Sequence, residues 1–255
     1  MNNIDKLIEN LHKGDKKALS RCISYIENGI EGYEEILTHM DFNHNIPIIG
    51  ITGSPGSGKS TLINGLIRQL SAGNKKTGII AIDPTSPFNH GSLLADRLRM
   101  PEHFNNAGVF IRSLATRGHL GGLSAKTTEV VNVMKAFGSA SLTTKGFDYI
   151  FVETVGVGQS EVEIAGLADT TILVLIPGSG DEIQTLKSGI MEIADIFVVN
   201  KADREGANTL VSNLKQMIKV RKPGDWIAPV VKSIATKGEG IEEILSHIEK
   251  HKKTF

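Results

Sequence analysis

"PIIGITGSPGSGKSTLINGLIRQL", residues 47–70, decides the fold. It opens on a β-rich apolar run (47–52), crosses a glycine-rich loop, and closes on "TLINGLIRQL" (61–70), whose apolar residues recur at helical spacing. The loop fits G-x-x-x-x-G-K-[ST], with Gly53, Gly58, Lys59 and Ser60 at the fixed positions. Glycines let the backbone curl until its N–H groups face phosphate oxygens, and the helix N-terminus behind them adds partial positive charge. Lys59 is then placed to reach the β- and γ-phosphates, and the Ser60 hydroxyl to sit on Mg²⁺. Nucleotide contacts are expected along the whole loop, at Gly53, Ser54, Pro55, Gly56, Ser57, Gly58, Lys59, Ser60 and Thr61. A plain Gly/Ser turn ahead of a helix is the alternative, and the strand–loop–helix order argues against it.

Six more β-rich runs extend the pattern. They are "GIIAID" (78–83), "GVFIRS" (108–113), "DYIFVE" (148–153), "TTILVLI" (170–176), "IFVVN" (196–200) and "APVVKSI" (228–234). Most are continuously apolar, as strands are when helices cover both faces of their sheet. Amphipathic segments such as "EEILSHIEKH" (242–251) alternate with them. The alternation predicts an α/β fold, a doubly wound and mainly parallel sheet of the P-loop type. The start of the chain reads differently. Ile4, Leu7, Ile8 and Leu11 recur at helical spacing, Leu19, Ile23 and Ile26 share a face ahead of Gly29, and "YEEILTHM" (33–40) forms a third short helix. The expected organisation is a helical segment at 1–44 followed by a P-loop domain at 45–255, with "GSASLTTKG" (138–146) as a mobile polar loop.

Composition narrows the function classes. Lys+Arg and Asp+Glu stand at 28 each, so no basic footprint points to nucleic acid or an anionic membrane. Cys22 is the single cysteine, which excludes a disulfide framework and a multi-cysteine metal site. No apolar run approaches the roughly 18 residues of a membrane span, and the first residues lack the apolar region of a signal peptide. A cytoplasmic protein is the expectation.

The base is read from "VVNKAD" (198–203). Guanine presents adjacent N–H donors at N1 and N2, so one carboxylate can accept both. Adenine lacks that pair. Asp203 is the natural acceptor, the stem of Lys201 can cover the base, and Asn200 can tie loops together. A donor for O6 is expected from the backbone of Ile234, Ala235 and Thr236 in "SIATKGEG" (233–240), where Ile234 stands in place of a more usual serine. The chain therefore reads as a GTPase binding GTP and GDP, rather than an ATPase.

Three acids can converge where strand C-termini present ligands. "AIDPTSP" places Asp83 at a strand end, Asp96 lies in "LLADRLRM", and Glu153 ends the apolar "FVE". Mg²⁺ prefers few carboxylates, phosphate oxygens and several waters, so Ser60, Asp83, Asp96 and Glu153 form the candidate metal set without all binding directly. One acid is then available to position the attacking water. Lys59, Asp96, Glu153 and Gln159 are the catalytic candidates. Gln159 is similar to glutamines that orient water in other GTPases, and a polar switch residue facing a partner is the equal alternative. Arg117 and His119 belong to a glycine-rich loop, where a mobile contact is preferred over direct catalysis.

In this order "GSPGSGKST", "IDPTSP", "DRLRM", "FIRSLATRGHLGGLS", "VETVGVGQSE", "GSGDEIQTLKSGIMEIADIFVVNKAD" and "KGEGI" resemble the MeaB/MMAA/ArgK group of the SIMIBI class of P-loop proteins. The resemblance runs from about residue 18 to 250. It implies a GTPase chaperone of an adenosylcobalamin-dependent acyl-CoA mutase, such as methylmalonyl-CoA mutase or a relative, with hydrolysis slow alone and faster with the mutase bound. It also implies that GTP turnover gates cobalamin delivery or the removal of damaged cobalamin, and that Glu153 takes the Walker B role with Asp83 and Asp96 near Mg²⁺. The segment "GSGDEIQTLKSG" (178–189) resembles the one that signals to the mutase. Family chains usually continue into a helical C-terminal arm used for dimerisation. The sequence stops at "HIEKHKKTF", so the expectation is a chain without that arm, and a homodimer is left open. Three other readings compete: a nickel-insertion accessory GTPase, which wants clustered Cys and His ligands, a kinase linked to amino-acid transport, and an inactive nucleotide-binding scaffold, against which the intact Lys59, Ser60, Glu153 and Asp203 speak.

Overall fold

The computed structural model describes residues 3–40, 45–83, 100–103, 105–115, 123, 126–140, 145–156, 160–178, 190–218 and 226–254. Seven strands form one sheet among them: β1 (Ile48–Thr52), β2 (Thr77–Asp83), β3 (Val109–Ala115), β4 (Tyr149–Glu153), β5 (Thr170–Leu175), β6 (Ile196–Asn200) and β7 (Val230–Ser233). Their order is β3-β2-β4-β1-β5-β6-β7, and every pairing is parallel. The sequence runs fall on these strands with ends displaced by at most two residues. The sheet is fully parallel rather than mainly so.

Helices cover both faces, because consecutive strand residues point to opposite sides. On one side Ile80, Ile82, Ile150 and Val152 meet α1 (Asn3–His12), α2 (Lys16–Asn28) and α5 (Thr127–Ala136). The other side brings Ile49, Ile51, Ile79, Phe151 and Ile172 against α4 (Lys59–Ala72) and α7 (Ile241–His251). Towards the far edge Leu173, Phe197 and Val199 pack on α6 (Ala207–Ile218). A short α3 (Tyr33–Thr38) adds Ile36 to the first layer.

The N-terminal helices therefore share a core with the sheet. α2 begins where Asp15 accepts the Lys17 N–H at 2.9 Å and ends at left-handed Gly29, an N-cap and a glycine stop. From its buried side Glu27 reaches Arg112 on β3 at 2.8 Å, with Ser24 Oγ accepting a second Arg112 N–H at 3.2 Å. The edge strand is tied to the helical layer by this ion pair. Of the polar loop expected at 138–146, residues 141–144 lie outside the described residues.

Candidate functional site

β1 sits between β4 and β5, so the loop leaving β1 emerges at the point where the chain winds to either side of the sheet. Gly53 begins that loop with φ of 140°, and a Cβ there would stand 2.1 Å from the Val174 carbonyl oxygen of β5. Only glycine fits so close a backbone approach. Lys59 starts α4 and is buried, its Nζ turned back to donate to Gly53 O at 2.7 Å and Ser54 O at 3.1 Å. An ammonium held on loop carbonyls is ready to exchange them for phosphate oxygens.

One residue further on, the Ser60 hydroxyl donates to Glu153 Oε1 at 2.5 Å. Glu153 ends β4 and is buried, in register with Ile51 of β1. A hydroxyl and a carboxylate meeting at the sheet's carboxyl edge form an all-oxygen set of the kind a hard divalent cation takes. Beyond Glu153 the chain folds down over the phosphate loop. Val155 O accepts Lys59 Nζ at 3.5 Å, and a Cβ on Gly156 would stand 2.0 Å from Gly53 O and 2.7 Å from Lys59 Nζ. With φ of 85° as well, Gly156 suits no other residue.

The residues of "NKAD" gather on the loop's far flank. Asn200 donates from Nδ2 to Ser57 O at 2.8 Å and accepts at Oδ1 from Ala235 N at 3.2 Å. Lys201 adopts a left-handed φ of 54° and donates to Gly56 O at 2.8 Å. Ala235 opens a 3₁₀ turn, Ala235–Lys237, that includes Thr236 and lies between Ile234 and Gly238. Ile234 pairs through its backbone with Glu239, and Asp203 is exposed in the turn after β6. Phosphate loop, base-side loop and Glu153 thus converge on one edge. Asp96 and Gln159 lie outside the described residues, as do Arg117, His119 and 179–189, and Asp83 is placed only by its backbone at the end of β2.

Sequence reasoning passed over three contributors to this edge. The Val155 carbonyl takes part through its backbone, which no residue type announces. Thr52 and Thr154 join hydroxyls across β1 and β4 at 3.0 Å, and both are buried. Their positions flanking Gly53 and Glu153 were the available signal.

A family profile described as Methylmalonyl Co-A mutase-associated GTPase MeaB matches residues 19–255. The chain belongs to the MeaB family. A protein of Pyrococcus horikoshii whose name gives it as a GTPase is 47% identical over 258 residues, covering 99% of this chain and 79% of that one. GTPase ArgK of Escherichia coli is 35% identical across 93% of this chain and 72% of its own length. The mouse methylmalonic aciduria type A homolog is 32% identical across 94% of this chain and 61% of its own. Among solved structures, one titled LAO/AO transport system kinase aligns at a TM-score of 0.75 and 26% identity, covering 99% of this chain and 76% of that one. The nickel complex of HypB from Helicobacter pylori aligns at 0.58 with 18% identity, covering 92% and 95%, a likeness of fold. As a MeaB-family protein, the chain is a P-loop GTPase. No helix among the described residues is long and apolar enough to cross a membrane.

Proposed function

We propose that this MeaB-family GTPase works in the cytoplasm as a chaperone that gates cobalamin loading, or protection, of an adenosylcobalamin-dependent acyl-CoA mutase. The observation that carries it is the contact of Lys59 with both Gly53 O and Val155 O, beneath the seat of Gly156. Whatever occupies the phosphate loop is felt at once by the segment leaving β4, and a partner resting on that segment receives the signal. The family's printed description supplies the class of partner.

In this reading Lys59 leaves the loop carbonyls for the β- and γ-phosphates, while loop N–H groups hold the remaining oxygens. Asp203 accepts the guanine N1 and N2 donors, Lys201 covers the base, and N–H groups of the 234–236 turn serve O6. Ser60 and Glu153 would hold Mg²⁺, with Asp83 and Asp96 assigned to the same shell. Bound there, Mg²⁺ would supply positive charge to offset the negative charge that develops on the phosphates during transfer. Glu153 and Gln159 orient the water that attacks the γ-phosphorus in line. The β–γ bridging bond breaks, giving GDP and phosphate.

Cys22 argues against the nickel-insertion reading. It is the chain's single cysteine, wholly buried between α2 and the core, and burial pushes its thiol up to about 12. A thiol so placed is a packing group and not a metal carrier.

The test is GTP turnover with and without purified acyl-CoA mutases acting on methylmalonyl-CoA, isobutyryl-CoA and hydroxyacyl-CoA substrates. Acceleration by one of them is expected. Turnover unchanged by all three overturns the proposal while leaving the GTPase assignment intact.

A further inference from the structure

We propose that the hydroxyl pair Thr52–Thr154 is a positioning device for GTP hydrolysis, fixing Glu153 against the phosphate loop. Thr52 is the last residue of β1 and precedes Gly53, whose carbonyl holds Lys59. Thr154 follows Glu153, the last residue of β4. The two strands are in register at Ile51 and Glu153, and the Thr154 N–H donates to Ile51 O at 3.0 Å. One step beyond, Thr154 Oγ1 donates to Thr52 Oγ1 at 3.0 Å. Both residues are 1% exposed, and among the described residues each hydroxyl has only the other.

Three consequences follow from chemistry. A hydroxyl pair shielded from water is worth more than an exposed one, and loss of one member leaves the other buried and unpaired. The bond sits at the last point where β1 and β4 run together, so it sets where the fixed frame ends. Val155 and Gly156 lie beyond it, Val155 O accepting Lys59 Nζ and Gly156 lying close against Gly53 O. Glu153 is thus clamped on the fixed side, and the chain carrying the nucleotide signal starts on the other. The pair touches neither substrate nor reacting atoms. It acts through Glu153 and the loop.

The inference rests on the reading of Glu153 as the metal-side acid. That reading is checked apart, by Mg²⁺ titration of GTP turnover in Glu153→Gln. A wild-type half-saturation there sinks the role of Glu153 and the proposal with it, whereas failure of the cycle below sinks the hydroxyl pair and leaves Glu153 its role.

The pair is judged on a double-mutant cycle of kcat in the full chain, using Thr52→Val, Thr154→Val and the double variant, with Thr154→Ser as the conservative control. Each valine variant should lower kcat by about 10-fold with little change in KM, since small misplacements near reacting groups are costly. The double variant should lose no more than either single one, because all three remove the same bond. Thermal stability should fall in the single variants and return in the double one, where no hydroxyl is left unpaired. Thr154→Ser, which keeps the hydroxyl, should hold near-wild-type kcat. Losses in kcat that multiply in the double variant, or kcat that returns together with stability, would overturn the proposal and make the pair a packing feature. If either valine variant fails to fold, the double variant decides it alone: kcat about 10-fold down at wild-type stability supports the pair, and wild-type kcat overturns it.

Discussion

Asp203 carries the base assignment, and a single atom pair tests it. Its carboxylate stands exposed in the turn after β6, free to take two N–H groups from a guanine edge. In Asp203→Asn the amide presents a donor where guanine presents one too. Xanthine carries a carbonyl at C2 and accepts that donor. Nucleotide competition should therefore show GTP binding weakened by at least about 10-fold while xanthosine triphosphate gains, a hydrogen-bond mismatch of the usual size. Unchanged GTP affinity would exclude Asp203 as the reader of the base. The fixed positions of the phosphate loop and of "NKAD" were plain in the sequence because backbone curvature and charge demand particular residue types there. The Thr52–Thr154 contact and the Val155 carbonyl were not, because threonine is common in strands and a carbonyl belongs to every residue.

At the scale of elements, the strand runs were legible from continuous apolar composition, and the structure trims them only slightly. "APVVKSI" shortens to Val230–Ser233 because β7 is an edge strand with a partner on one side only. Neighbour relations were not legible, since periodicity records which face a residue takes and not which strand lies beside it. Asp148 shows what such relations do. Its carboxylate accepts the Lys76 N–H at 2.9 Å, and Lys145 and Lys75 stand at 3.0 and 3.4 Å, tying the start of β4 to that of β2. Burial alone would raise its pKa, but the Lys76 N–H and the two ammoniums outweigh that and hold it below the usual carboxylate value. A depressed folded pKa gives stability that is present near neutrality and lost as pH falls through that value. Asp148→Asn should thus be less stable than wild type by about 1 kcal/mol at pH 7. Chemical denaturation should show the two converging as pH falls below the depressed folded pKa, where both side chains are neutral. A gap that persists in acid would assign the loss to packing instead.

Across the whole molecule, the helices at 3–38 share one core with the sheet. Their amphipathic spacing was visible in the sequence, and the surface they cover was not. Arg112 and Glu27 join the two layers with side chains 6% and 11% exposed. Removing one member leaves a buried charge without its counter-ion, so Arg112→Met should cost about 3 kcal/mol in thermal or denaturant unfolding. Adding Glu27→Leu to it should recover most of that loss. A single variant as stable as wild type would mean the pair contributes nothing to holding the layers together. The placement of β1 between β4 and β5 also bears on how the chain is made. During synthesis the complete phosphate loop leaves the ribosome while neither neighbour of β1 exists. From residue 53 until residue 149 its strand is an apolar segment with both edges open, a period in which association with other chains competes with folding. Nascent chains stalled before residue 149 should retain no guanine nucleotide, and competence should appear only once residues through 203 are free of the exit tunnel.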